Sequence, residues 1–230
     1  MKVFRKLSAL LLALGLVAGF AACGGNGGDQ SATQSDESVT SEASAPNELV
    51  GEQVTDEEMN AAIQTLYTAT NFTLVSTTSQ KVNGNVVENS ITANYADGKA
   101  YIVIVSTQNG VTTTRYNYLG QQDGTYYMWT SMDNEIWDKA ECSLEENENP
   151  TAGKYVFEEI FQWCNFTYSE YKPALGMYEF LNFGCPTVTV MVSDGKIVKY
   201  IYENPDTPEE RTGTITYGNA TVGELPQETE

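Results

Sequence analysis

Candidate chemistry in this 230-residue chain rests on carboxylates, thiols and aromatic rings, because it contains no histidine. That absence excludes Ser-His-Asp and Cys-His nucleophilic catalysis and any His-ligated zinc or iron site. Four cysteines are present, and Cys23 stands apart at the end of an N-terminal apolar run. The other three, Cys142, Cys164 and Cys185, are one too few for a four-thiolate zinc site. Outside the cell they would form one disulfide and leave one buried thiol, with all three pairings open. Cys164 has no evident basic neighbour, so a catalytic thiolate is not expected there. The carboxylate pairs Glu57-Glu58, Glu145-Glu146 and Glu158-Glu159 are adjacent in sequence. On a helix they point in different directions, and a glycosidase-type pair would have to be assembled from distant strands. Asp133 to Asn149 carries seven carboxylates and only Lys139 as a cation. Ile136 and Asp138 break the alternation of a calcium-binding EF-hand loop, and the stretch has no glycine, so it reads as a solvated acidic loop. The sequence therefore predicts no catalytic residue, no metal site and no cofactor.

Aromatic residues are the larger resource: 14 Tyr, 8 Phe and 3 Trp, many of them in stretches of alternating polarity. Aromatics suit strands and cores, which accounts for most of them. A sharper expectation is that Tyr95, Tyr101, Val103, Val105, Tyr127 and Trp129, with Met59, Ile63 and Leu66 of a preceding helix, line an apolar cavity. A 16-carbon chain entering such a cavity from water would gain about 13 kcal/mol before entropy costs, at ~0.8 kcal/mol per methylene.

The elements that must position these side chains follow from turn chemistry. Asn83-Gly84, Asp97-Gly98, Asn109-Gly110, Asp123-Gly124 and Asp133-Asn134 recur at intervals of 14, 12, 14 and 10 residues. Such dipeptides tolerate the positive φ of tight hairpin turns, so Val82 to Asn134 reads as a long antiparallel meander. Val87, Asn89, Ile91, Ala93 and Tyr95 form one face of a strand, with Glu88, Ser90, Thr92 and Asn94 on the wet face. Ala100 to Val105 is apolar on both faces and is expected near the middle of the sheet, covered on each side. Thr112, Thr114, Tyr116 and Tyr118 share a face opposite Thr113, Arg115 and Asn117, and Thr125, Tyr127 and Trp129 alternate with Tyr126 and Met128. Before the meander, Thr55-Asp56-Glu57-Glu58 is a capping box that opens a helix with Met59, Ala62, Ile63, Leu66 and Tyr67 on one stripe. A second, short helix is expected over Lys154 to Cys164. Strands should follow at Thr167–Tyr171, Met177–Asn182, Thr187–Ser193, Ile197–Glu203 and Thr212–Tyr217, with an acidic C-terminus that frays.

Composition sets further bounds. Lys and Arg number 12 against 31 Asp and Glu, a net charge of −19, and without Lys2, Arg5 and Lys6 of the leader the balance is 9 against 31. The remaining cations are scattered singly, so nucleic acid is excluded as a partner. Met1 to Ala22 has a basic start and a 14-residue apolar run from Leu7 to Phe20. It reads as a secretory leader, too short to span a bilayer comfortably. Phe20-Ala21-Ala22-Cys23 resembles the bacterial lipobox, although Phe20 departs from the usual Leu. That resemblance implies diacylglycerol attachment at Cys23 and anchoring on the outer leaflet of a Gram-positive cell membrane. Gly24 to Val50 is polar and Ser-rich, a flexible tether with a typical span of roughly 30 Å.

The expected domains are a signal peptide over 1–22, the lipidated cysteine and tether over 23–50, one folded domain over 51–223 and an acidic tail over 224–230. The expected fold class is α+β: a long curved antiparallel sheet, or half-barrel meander, with an N-terminal helix and an inserted short helix over its concave face. This order of elements resembles the LolA-like lipoprotein-carrier superfamily, including the lipid-binding lipoproteins of the LppX and LprG type. The resemblance implies a monomeric, non-enzymatic carrier or sensor that holds a lipid or other hydrophobic ligand between sheet and helices. The alternative is a surface interaction module that contacts an envelope protein or cell-wall component through an exposed aromatic patch.

Overall fold

The computed structural model describes residues 51–226, apart from residue 83 and the segments 143–148, 162–168, 181–186 and 205–208. The segments expected as leader and tether, with Cys23, lie outside the described residues, as do Cys164, Cys185 and the centre of the acidic stretch. In chain order the elements are helix α1 (Asp56–Thr68), strands β1 (Phe72–Val82), β2 (Asn85–Ala96), β3 (Lys99–Gln108), β4 (Val111–Gln122), β5 (Thr125–Ser131) and β6 (Asp138–Glu141). Helix α2 (Gly153–Phe161) follows, then β7 (Ser169–Lys172), β8 (Met177–Phe180), β9 (Thr187–Ser193), β10 (Lys196–Asn204) and β11 (Glu209–Tyr217). The α+β class and the half-barrel character expected from sequence both hold.

All eleven strands belong to one antiparallel sheet in the order β6-β5-β4-β3-β2-β1-β11-β10-β9-β8-β7. The sheet is open: β6 and β7, four residues each, are its two unpaired edges. Its centre is β1, flanked by β2 and by the last strand, β11. Ala100 to Val105, expected near the middle of the sheet, lies in β3, an interior strand two places from that centre. A meander alone would place β1 at an edge; pairing with the end of the chain moves it inward.

Tight turns set the registers. Asp97 and Gly98, Asn109 and Gly110, Asp123 and Gly124, and Asp194 and Gly195 all take positive φ, as paired-strand twist requires. Asp133-Asn134 is different. Asp133 Oδ1 accepts from the backbone N–H groups of Glu135 and Ile136, both at 2.9 Å, and from the Ser131 hydroxyl at 2.8 Å. These bonds, the backbone donors first, hold the Asp133 carboxyl down at about 2. The dipeptide thus builds a capped loop before β6 instead of a two-residue hairpin.

Helix α1 begins where the sequence places it. The Thr55 hydroxyl accepts from Glu58 N at 3.3 Å, and the Glu58 carboxylate accepts from Thr55 N at 2.7 Å. Met59, Ala62, Ile63 and Leu66 are its buried stripe. Helix α2 docks on the end of α1 through Gly153 N to Ala69 O at 2.7 Å and an edge-to-face contact of Tyr67 with Phe157. Both helices belong to one core with Phe72, Tyr95, Ala100, Ile102, Ile104, Leu119, Phe180, Val190 and Tyr200 of the sheet. One layer of helix on one face of sheet is the whole described architecture.

Candidate functional site: the inner face of the sheet

Register assigns every strand residue to the inner face, under the helices, or to the outer one. Ser76 lies opposite Ile91, which lies opposite Ile104, which lies opposite Arg115; in the other direction Ser76 faces Gly213, Tyr200, Val190 and Tyr178 in turn. One turn of the pleat away, Leu74, Ala93, Ile102, Asn117 and Thr130 form the adjacent inner row. Along these two rows the surface is mostly apolar, with Ser76, Arg115, Asn117 and Thr130 as polar inclusions.

The nine residues expected to line one cavity are not brought together. Met59, Ile63, Leu66 and Tyr95 lie inside, in the common core, where Tyr95 stacks on Phe72 at 4.4 Å. Tyr101, Val103, Val105, Tyr127 and Trp129 lie on the outer face, because Ala100, Ile102 and Ile104 take the inner positions of β3. Tyr101, Val103 and Val105 are only half-buried, so no second layer covers β3 from outside. With both alternating sets of β3 apolar, the sequence pattern carries no information on which one turns inward.

The outer face has its own organisation. Tyr101 packs on Tyr118 at 4.6 Å, and Tyr118 meets Trp137 edge-on at 5.2 Å. Lys139 Nζ sits 4.3 Å from the Tyr127 ring centroid. Trp129 is 2% exposed. It lines a depression of about 380 Å³ with Lys99, Gln121, Gln122, Glu224, Leu225 and Pro226, where the C-terminal segment crosses the outer face. Asn71 anchors that segment: its Nδ2 donates to Ala220 O at 3.1 Å and its Oδ1 accepts from Ala220 N at 3.0 Å. The acidic tail expected to fray over 224–230 is described through Pro226, and residues 227–230 lie outside the described residues. A single asparagine outside any periodic pattern gave no sequence signal for this clamp.

Arg115 and Asn117 are the inner-face residues that sequence patterning placed in a polar set. Asn117 is fully buried, with Oδ1 accepting from the Thr130 hydroxyl at 3.0 Å and Nδ2 lacking an acceptor. Arg115 is half-buried as a residue, but its Nε and Nη2 are sealed from solvent and have no acceptor among the described residues. Burial pushes the guanidinium pKa down, with no carboxylate opposing it.

Other chemistry is sparse among the described residues. They contain no group of three or more His, Cys, Asp or Glu side chains placed to hold a metal, and no helix long and apolar enough to cross a membrane. Cys142 is a free, buried thiol whose pKa is pushed up to about 11 by burial and then by Glu141. Its thiolate fraction at mildly alkaline pH is negligible. Iodoacetamide should therefore leave Cys142 unmodified in the native protein and alkylate it fully after denaturation, as read by peptide mass mapping.

These features define an open-faced antiparallel sheet protein with helices on one side. No protein-family model matches the chain, and no curated protein matches it. Among solved structures, a DUF1329 family protein from Desulfovibrio piger is similar with a TM-score of 0.31 and 11% identity, over 72% of this chain and 94% of that one. The likeness is distant and assigns no function.

Proposed function

We propose that the protein is an extracytoplasmic lipoprotein, anchored through Cys23, that binds a lipid or other apolar ligand on the inner face of its sheet without catalysing a reaction. The observation carrying this reading is a mismatch of areas. Strands of 10 to 12 residues span about 34–41 Å at ~3.4 Å per residue, whereas helices of 13 and 9 residues span about 20 and 14 Å. Two described helices of that length cannot roof an eleven-stranded face, and on the same inner face Ile91 and Tyr202 are only half-buried. The open edges let the mouth adjust to a guest. Organic extraction of the purified protein followed by mass spectrometry should recover a lipid at close to one equivalent; an empty extract from folded protein would sink the proposal.

A second reading is favoured by the outer face, where Tyr101, Tyr118 and Trp137 form a partly exposed aromatic run. Such a strip suits contact with an envelope protein or cell-wall glycan. Pull-down with cell-wall material, lost on Trp137→Ala and retained in lipid-free protein, would favour it over the first.

A further inference from the structure

The inner face contains donors without acceptors in a chain crowded with acceptors. Buried polar groups are nearly always hydrogen-bonded, and a donor sealed from water without an acceptor is the rare exception. Arg115 breaks this rule on two of its nitrogens, although the chain has 31 Asp and Glu from which a counter-ion was available. Two positions along the same strand face, Asn117 breaks it again with Nδ2. The Thr130 hydroxyl donates to Asn117 Oδ1, which fixes the oxygen end of the amide and leaves Nδ2 as the open donor. The carboxylate carried on the adjoining inner row, Asp138 of edge strand β6, is exposed and makes no ion pair with Arg115. Beside the two donors the floor is hydrocarbon, with Ile104 paired to Arg115 and Ile102 paired to Asn117. Three buried donor atoms at the margin of an apolar surface match an anionic oxygen group joined to an apolar chain.

We propose that Arg115 and Asn117 bind the anionic head, a carboxylate or phosphate, of an amphiphile whose tail runs over the half-exposed Ile91 on the same inner face. This rests on the apolar-ligand reading above and specifies the end of the ligand that reading leaves open. A guanidinium can take two oxygens side by side, and the Asn117 amide adds a neutral donor in the same dry site. The net negative charge of the chain disfavours free anions, so the apolar tail supplies the attraction and the head supplies the orientation.

The test uses the purified, delipidated full chain with four probes: palmitate, methyl palmitate, acetate and inorganic phosphate. Calorimetric titration and thermal shift are read for the native protein, Arg115→Met, Arg115→Lys and Asn117→Ala. Palmitate should bind about tenfold or more tighter than its ester, as expected for bonds to a charged group. Arg115→Met should erase that difference while leaving the ester's affinity unchanged, and Arg115→Lys should retain part of it. In the empty protein Arg115→Met should raise the melting temperature, which a merely structural arginine would not do. Equal binding of palmitate and its ester would overturn the head-group assignment and leave the apolar-ligand reading intact. Failure of both long-chain probes would overturn that reading and the assignment with it. Acetate or phosphate binding as tightly as palmitate would overturn the link to a tail and make the site one for a small free anion.

Discussion

Gly213→Val should destabilise the fold by about 3–5 kcal/mol, the cost of evicting a buried aromatic ring from a core. Gly213 lies between Ser76 of β1 and Tyr200 of β10 in one inner row. The phenol end of Tyr200 packs directly against it, so that a Cβ at 213 would overlap the ring edge and its hydroxyl. By crossing the glycine, Tyr200 brings its hydroxyl to 3.0 Å from the Ser76 Oγ and remains only 2% exposed. A valine cannot share that volume; the ring must leave, and its burial and hydrogen bond go together. For a domain of this size the melting temperature falls by roughly 2–4 °C per kcal/mol, so thermal unfolding gives a clear readout. Combining Gly213→Val with Tyr200→Ala should cost far less than the sum of the two, because both remove the same contact. Full additivity would show that the ring does not depend on the glycine.

Tyr178→Phe is the second large effect, expected at about 2–3 kcal/mol from one oxygen atom. The Tyr178 hydroxyl accepts from Val54 N at 2.7 Å and donates to Val54 O at 2.6 Å, closing both polar groups of one residue. Phenylalanine preserves the packing in the core but leaves that backbone donor and acceptor unpaired, each worth about 1–3 kcal/mol if buried and 0.5–1.5 as a net bond. The bonds fix the strand-like segment ahead of α1, which also joins β9 through Glu52 N to Val192 O at 2.8 Å. Urea titration should show a lowered midpoint, and hydrogen exchange should show faster exchange at Val54. Unchanged exchange there would mean the tyrosine does not hold the segment.

The contrast between what the sequence disclosed and what it concealed follows the range of the interactions. Asp97-Gly98 and Asn109-Gly110 are legible because a hairpin turn is decided by its own two residues. The Thr55 to Glu58 capping box is legible for the same reason. The inward face of β3 is not, since Tyr101, Val103 and Val105 are as apolar as Ala100, Ile102 and Ile104, and only the partner strands choose between them. That ambiguity misplaced five of the nine expected cavity residues. Arg115 was hidden in the opposite way: a lone arginine alternating with threonine and tyrosine has the pattern of a solvent-facing residue. Its burial arises from Leu119 and Asn117 turning inward with it, a fact of register. The Asn71 clamp joins residues far apart in the chain, and no local pattern encodes it.

The pairing of β1 with β11 has a consequence for how the chain reaches this structure. Strands β1 to β6 form through successive hairpins, each an event of microseconds with a short loop to close. Strands β8 to β11 do the same among themselves. The two halves are joined along one seam, in which Phe72 meets Tyr217 across almost the whole domain. Long-range pairings of this kind slow folding, because loop entropy is lost before contacts repay it. The β1–β11 seam should therefore close after the local hairpins on either side of it, as the last pairing to complete the sheet.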